Sequence, residues 1–146
     1  MTGPSGSRSM DGGMRQAAAT GSARVPIADF RPAVAGSLND IYFDFDKYEL
    51  TAEATQTLDA SAEWLKANPK HLLLIEGHCD ERGTVAYNLA LGERRAKATQ
   101  NYLATRGVQA ARISVVSYGE EKPQCADHTE ACWAKNRRAH FMVKGQ

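Results

Sequence analysis

The residues with the clearest potential for ligand chemistry lie in residues 77–95, the stretch GHCDERGTVAYNLALGERR. Asp80 follows an apolar segment, and Asn88, Leu91 and Arg95 stand further along at i, i+3 and i+7. A helix would place these last three residues on one face. A carboxylate and a guanidinium that face one small concavity suit a zwitterionic amino acid better than a phosphate or a sugar.

Periodicity and turn signals place these residues on alternating strands and helices. Residues 72–75 form a continuous apolar run that is typical of a buried central strand. A helix over about residues 84–106 follows and is expected to end at Gly107. Thr51 is the predicted N-cap of an earlier helix, which ends before Pro69. The other predicted elements are strands over residues 40–45, 113–118 and 138–143 and a helical turn near residues 131–135. This order indicates an α/β fold.

The spaced motifs resemble the OmpA-like peptidoglycan-binding domain, whose pattern reads T-D-x-x-G and then N-x-x-L-S-x-x-R-A. Here the two parts are CDERG from Cys79 and NLALGERRA from Asn88, so that Cys79 replaces Thr and Gly92 replaces Ser. Three flanking segments, residues 41–48, 117–123 and 135–139, are similar to the peptidoglycan-associated lipoprotein branch of the family. The resemblance covers about residues 39–143. It implies an α/β (α+β) fold, a βαβαβ-β sandwich with its helices packed on one face of a mixed four-stranded sheet.

The resemblance implies a ligand, the meso-diaminopimelate of the peptidoglycan stem peptide, whose free end carries an ammonium and a carboxylate on one carbon. Arg95 is expected to hold the carboxylate with two parallel hydrogen bonds. Asp46 and Asp80 are expected to accept hydrogen bonds from the ammonium, and Leu91 and Phe45 to contact the methylene groups. The protein would thus bind the cell wall without covalent chemistry and anchor the outer membrane to it.

Two further motif residues are predicted to support this site without touching the ligand. Asn88 is expected to hold the preceding loop through side-chain hydrogen bonds, and Gly83 to provide its turn. The pair Asp80 and Arg95 also has a simpler interpretation, a salt bridge that only tethers the loop to the helix.

The cysteines allow two interpretations. Cys125 and Cys132 indicate a disulfide if the protein is exported, and Cys79 is then a free, partly buried thiol. Alternatively, Cys125, His128 and Cys132 have zinc-ligand spacing, and His78 or Cys79 would complete a tetrahedral site. We favour the disulfide, and no metal or other cofactor is predicted. The alternative function is therefore a zinc-stabilised or purely protein-binding module of the cell envelope on the same scaffold.

Composition and charge narrow the function further. The 146 residues carry 18 Lys and Arg against 17 Asp and Glu, so the chain lacks the basic excess that non-specific nucleic-acid binding requires. No G-x-S-x-G, H-E-x-x-H or P-loop pattern occurs, so we expect no enzyme.

The ends of the chain and its location are also expectations. Residues 1–38 are rich in Gly, Ser, Ala and Pro and are predicted to be a disordered tag and linker, and residues 39–146 the binding domain. Residues 1–10 look derived from cloning, since no signal peptide is visible. The resemblance implies a parent protein that is lipid-anchored at the periplasmic face of the outer membrane, this chain itself being soluble. It also implies TolB, the propeller protein of the Tol system, as a further partner.

Overall fold

The described part of the chain forms one mixed β-sheet with three α-helices. A computed structural model describes residues 20–21, 25–34 and 36–145. The strands are β1 (Thr20–Gly21), β2 (Arg31–Pro32), β3 (Ile41–Tyr42), β4 (Leu72–His78), β5 (Ile113–Gly119) and β6 (Arg138–Lys144). The helices are α1 (Ala52–Ala67), α2 (Val85–Thr105) and α3 (Glu130–Asn136).

The sheet has the order β1-β5-β4-β6-β2, and β3 also pairs with β6. Among the described strands only β4 and β5 run parallel, and α2 provides the crossover connection that a parallel pair requires. The predicted mixed α/β fold is confirmed. The sheet differs from the predicted four strands by the two short strands β1 and β2, and β3 is shorter than the predicted strand over residues 40–45.

The helix ends follow local capping chemistry. Thr51 Oγ1 accepts a hydrogen bond of 3.1 Å from the Ala54 amide, and Thr84 Oγ1 accepts one of 3.1 Å from the Tyr87 amide. Helix α2 is followed by Gly107 with φ +99°, the left-handed conformation expected of a residue after a helix end. Within the described residues, no helix has both the length and the apolar composition needed to cross a bilayer.

The main core lies between the helices and one face of the sheet. Alternate strand residues point into it, and the apolar stripes of α1 and α2 cover them. Its buried members include Leu73 and Ile75 of β4, Val115 of β5, Phe141 of β6, Leu58 and Leu65 of α1 and Leu103 of α2.

Two glycines let α2 approach the sheet closely. A Cβ on Gly77 would lie 1.8 Å from the Gly92 carbonyl oxygen, so the backbones of β4 and α2 are in direct contact. A Cβ on Gly92 would lie 2.3 Å from Ser117 Oγ. This crowding accounts for glycine where the family pattern has serine. It also determines how far the first turns of α2 stand from the end of β4.

Residues around Phe30 cover the opposite face of the sheet. Phe30 is buried there against Leu74 and Val116, and β2 pairs with the edge of β6. Residues 20–21, 25–34 and 36–38 belong to the segment predicted to be disordered, and they contain two short strands and the buried side chains of Phe30 and Leu38. A composition-based argument overlooks how much surface such apolar side chains bury. The same prediction for residues 1–19, 22–24 and 35 lies outside the described residues.

Candidate functional site

A cavity of about 180 Å³ opens where β4 ends and α2 begins. It is smaller than the roughly 300–1,000 Å³ of a typical drug-sized pocket and suits the end of one amino acid. The structure brings all five predicted ligand residues to its wall: Phe45, Asp46, Asp80, Leu91 and Arg95. The other lining residues are Cys79, Arg82, Gly83, Tyr87 and Asn88.

Arg95 is a buried cation at the base of this cavity, with 1% of its surface exposed. Its Nε donates to the Lys47 carbonyl at 2.8 Å, Nη1 to the His78 carbonyl at 2.9 Å and Nη2 to the Asp44 carbonyl at 3.1 Å. Burial lowers the pKa of Arg95. No carboxylate of the described residues forms an ion pair with it, so the simple tether to Asp80 is absent. A buried charge without a counter-ion is costly and favours an anionic ligand.

Asp80 is instead paired with its neighbour Arg82. Its Oδ1 accepts from the Arg82 amide at 2.9 Å, and its Oδ2 accepts from Arg82 Nη2 at 2.9 Å. Arg137 Nη1 lies 3.5 Å from the same Oδ2. Burial acts to raise the pKa of Asp80, but the hydrogen bonds from Arg82 outweigh it and hold the pKa below its ordinary value. Asp80 is thus a charged carboxylate that is already well bonded.

Asp46 is the exposed acid of the site and sits in a strained turn. The Lys47 amide donates to the Asp44 carbonyl at 3.2 Å to close the turn. Asp46 has φ +58°, the only positive φ of a non-glycine residue in the described part of the chain. The Tyr87 hydroxyl donates a hydrogen bond to Asp46 Oδ1. Such backbone strain is often found at binding sites, where surrounding contacts maintain it.

Two lining residues, Phe45 and Arg82, form a stack with Trp133, which lies outside the cavity lining. The Arg82 guanidinium lies 3.9 Å from the centre of the Phe45 ring and 4.2 Å from that of Trp133 on α3. Trp133 Nε1 donates to Glu81 Oε2 at 2.7 Å, which fixes the indole beside the loop. One face of Phe45 is therefore taken by Arg82, and the ring is still 52% exposed.

Asn88 and Gly83 lie where they could support the loop after β4, as predicted for them. Asn88 Nδ2 donates to the Arg82 carbonyl at 3.0 Å and to Glu120 Oε1 at 2.7 Å, which ties the loop after β4 to the end of β5. Gly83 has φ +106°, and a Cβ there would lie 3.2 Å from Asn88 Oδ1. A larger residue at this turn would press on the amide that holds it.

The cysteines follow the first of the two interpretations. Cys125 and Cys132 form a disulfide with Cα atoms 5.3 Å apart, so the zinc hypothesis is wrong for this ligand set because its two thiolates are bonded to each other. His128, the third predicted ligand, contacts Glu81. Cys79 is a free thiol and is more buried than expected; its Sγ donates to the Asn88 carbonyl at 3.2 Å. Burial raises its pKa to about 11.

Sequence reasoning missed three residues that shape the site: Arg82, Tyr87 and Trp133. Tyr87 stands four residues before Leu91, so the helical spacing that identified the ligand-facing side of α2 also contains it. Arg82 lies inside the first motif at a variable position of the pattern. No local signal places Trp133 near either one, because it is separated from Arg82 by the whole of α2 and β5.

Comparison with known proteins gives consistent matches. The model of the OmpA family matches residues 42–137. Over 101 residues the chain is 55% identical to the peptidoglycan-associated lipoprotein of Haemophilus influenzae, covering 69% of this chain and 66% of that protein. Over 105 residues it is 49% identical to the protein of the same name from Brucella melitensis, covering 72% and 62%. The chain thus spans about two thirds of the length of these relatives.

Solved structures agree with the fold. The crystal structure of the peptidoglycan-associated lipoprotein from Burkholderia pseudomallei matches with a TM-score of 0.70 and 45% identity, covering 72% of this chain and 89% of that one. The C-terminal domain of Helicobacter pylori MotB matches with a TM-score of 0.69 at 18% identity, covering 74% and 85%. The second similarity concerns the fold alone.

Proposed function

The chain belongs to the OmpA family, and on this premise we propose that it binds peptidoglycan non-covalently through the meso-diaminopimelate of the stem peptide. The named relatives are described as associated with peptidoglycan, and neither name describes an enzyme. The proposed role is to anchor the outer membrane to the cell wall from the periplasmic face, with a lipid anchor in the parent protein.

The observation that carries this proposal is the buried guanidinium of Arg95 at the base of the cavity, which has no carboxylate partner among the residues that the structure describes. Arginine has five N–H groups, and the three carbonyl contacts of Arg95 leave two of them for a ligand. A carboxylate there would supply the missing counter-ion through charge-assisted hydrogen bonds. The free end of diaminopimelate carries such a carboxylate.

The acidic residues of the cavity account for the ligand's second charge. Asp46 is exposed and has its Oδ2 available, while Asp80 is engaged with Arg82 and adds negative potential close by. An ammonium beside Asp46 and a carboxylate beside Arg95 match the two charges that diaminopimelate carries on one carbon. Leu91 and the open face of Phe45 provide an apolar wall for the methylene groups.

A pelleting experiment with purified sacculi tests the proposal. Unmodified protein should sediment with the sacculi, and Arg95→Lys and Asp46→Asn should stay largely in the supernatant. Arg112→Lys is the matched control: Arg112 also donates to backbone carbonyls, those of Asn68 and His71, but it precedes β5 at the opposite end of the sheet from the cavity. Equal pelleting of all four proteins would rule out the site.

Competition separates the proposed function from a purely protein-binding module. Exposed Phe45 and Tyr87 at the cavity mouth would also fit a protein surface, and TolB is the partner proposed for it. An added stem peptide containing meso-diaminopimelate should release the protein from sacculi. If the unmodified protein binds TolB but does not sediment with sacculi, the protein-binding alternative is favoured.

A further inference from the structure

Two side chains from α2 hold the turn that presents Asp46, and only one of them has a place in the proposed binding. Arg95 donates to the carbonyls of Asp44 and Lys47, the first and last residues of the turn. Tyr87 is the second side chain, and its hydroxyl bonds to the Asp46 carboxylate itself. The turn is therefore held through its backbone by one residue and through its side chain by the other.

The Tyr87 contact selects one orientation of an otherwise exposed carboxylate. Tyr87 lies in the first turn of α2, where its amide is bonded to the capping Thr84 at 3.1 Å, so its backbone is fixed. The hydroxyl occupies Asp46 Oδ1, and no described residue donates to Oδ2. Oδ2 is left as the acceptor for a ligand. An exposed aspartate without such a bond would lose side-chain freedom on binding, which weakens affinity.

We propose that Tyr87 is a positioning residue that orients the Asp46 carboxylate toward the ligand ammonium, and that this contact makes the site selective for a free ammonium over an acylated nitrogen. The inference rests on the proposed function, because it concerns the same cavity and ligand. In this proposal Tyr87 does not contact the ammonium or the carboxylate of the ligand directly. Its effect is transmitted through Asp46.

The test measures affinity for two ligands by isothermal titration calorimetry. One is the tripeptide L-Ala-γ-D-Glu-meso-diaminopimelate, and the other is the same tripeptide acetylated on its free amino group. Tyr87→Phe removes only the hydroxyl and should weaken binding of the first ligand by about 3- to 10-fold. Binding of the acetylated ligand should change little, so the ratio of the two affinities should fall.

A double-mutant cycle shows whether Tyr87 acts through Asp46. Asp46→Asn should weaken binding of the free tripeptide, and adding Tyr87→Phe should weaken it no further. Tyr102→Phe is the matched control, since the Tyr102 hydroxyl donates to Asp59 Oδ1 at 2.6 Å from the same helix but outside the cavity. This variant should bind both ligands as the unmodified protein does.

The possible failures are distinguishable. If the unmodified protein does not bind the tripeptide, the proposed function is wrong and the inference falls with it. If it binds, and Asp46→Asn weakens binding while Tyr87→Phe does not, only the inference is wrong. Equal losses for both ligands in Tyr87→Phe, or losses that add to those of Asp46→Asn, would show a general structural role instead.

Discussion

Arg95 shows how one buried residue serves both the fold and the proposed site. Its guanidinium bonds three backbone carbonyls, two of them in the turn around Asp46 and one at the end of β4. An alanine at this position would therefore remove the cation and also release the loop. For this reason the conservative lysine variant is the better probe of binding, and the alanine variant is a probe of stability.

Arg95→Ala should lower the free energy of unfolding by about 3 kcal/mol, since it leaves carbonyls such as that of buried His78 without their partner. Urea denaturation measures the change. Arg112→Ala is the control, because it removes similar arginine–carbonyl hydrogen bonds at a less buried position. It should lower the free energy of unfolding by less than Arg95→Ala does. A smaller loss for Arg95→Ala than for Arg112→Ala would contradict the structural role.

The pKa of Asp80 predicts a specific loss of stability in acid. Its folded-state pKa is lowered from 3.8, so it contributes stability that is present above about pH 4 and is lost as the pH falls through the lower folded-state value. Asp80→Asn should lower stability near neutral pH and flatten the decline in stability below about pH 4. Asp127→Asn, a change at an exposed acid with no ion-pair partner in the described part of the chain, should follow the unmodified profile in thermal melts.

The Cys79 thiol should be unreactive in the folded protein, because it is buried and its pKa is raised to about 11. Iodoacetamide at about pH 8 should add no mass without denaturant. In urea, without a reducing agent, it should add one carbamidomethyl group, since Cys125 and Cys132 are bonded to each other. Rapid labelling of the native protein would show that the cavity opens more than the structure indicates.

Helix α3 supports the cavity from outside through its position rather than through a ligand contact. The disulfide between Cys125 and Cys132 joins this helix to the loop after β5, and the next residue, Trp133, covers Arg82. Asn136 adds three hydrogen bonds to the same loop. Its Oδ1 accepts from the Gln124 amide at 2.8 Å and the Cys125 amide at 3.0 Å, and its Nδ2 donates to the Cys125 carbonyl at 2.8 Å. The disulfide and these hydrogen bonds therefore hold the loop and α3 together as one unit beside the site.

Replacing both Cys125 and Cys132 with serine should lower the free energy of unfolding by about 2.5 kcal/mol, as the chain-entropy model gives for so short a loop. Amide hydrogen exchange should increase within residues 124–136 and change little in β4. Cys79→Ser is the control for loss of a thiol outside the disulfide. Unchanged exchange in residues 124–136 of the double variant would show that α3 is held mainly by its other contacts.

The close approach of α2 to β4 depends on Gly77. Gly77→Ala should lower the free energy of unfolding by about 3 kcal/mol, because the added Cβ would lie 1.8 Å from a backbone oxygen of α2. Gly145→Ala is the control, since its Cβ would make an ordinary contact of 3.5 Å with His71 Nε2. Chemical denaturation of both variants measures the difference, and equal stability would show that α2 shifts easily on the sheet.

The described part of the chain carries the proposed ligand site on a sheet whose two faces are both covered. Helices α1 and α2 cover one face, and the segment around Phe30 covers the other. A single site of this size is expected to bind one stem peptide modestly. Firm attachment to the wall would then depend on the many equivalent stems of the polymer and on the membrane tether, which raise the effective concentration.

Phe30→Ala should destabilise the whole domain by about 3 kcal/mol, because the ring is buried against β4 and β5. Val34→Ala is the matched control from the same segment, with a side chain that is 77% exposed, and should have almost no effect. Thermal unfolding compares them. If Phe30→Ala were neutral, the packing of the residues around Phe30 on the sheet would not contribute to stability.

Much of this architecture could be predicted from the sequence alone. The cap at Thr51 and the stop at Gly107 depend on chemistry within a few residues, and so they were identified correctly. The spacing of Asn88, Leu91 and Arg95 also implied a shared helix face, and all three lie at or beside the cavity. Local signals of this kind are contained in the order of the residues.

Only the tertiary structure determined which charged and aromatic groups pair. Asp80 bonds to Arg82 rather than Arg95, Tyr87 reaches Asp46 from 41 residues away, and Trp133 stacks on Arg82. Such contacts depend on how far α2 stands from β4 and where α3 packs, and periodicity contains neither distance. It tells which side of an element is buried, whereas the partner on that side is set by the packing of the complete chain.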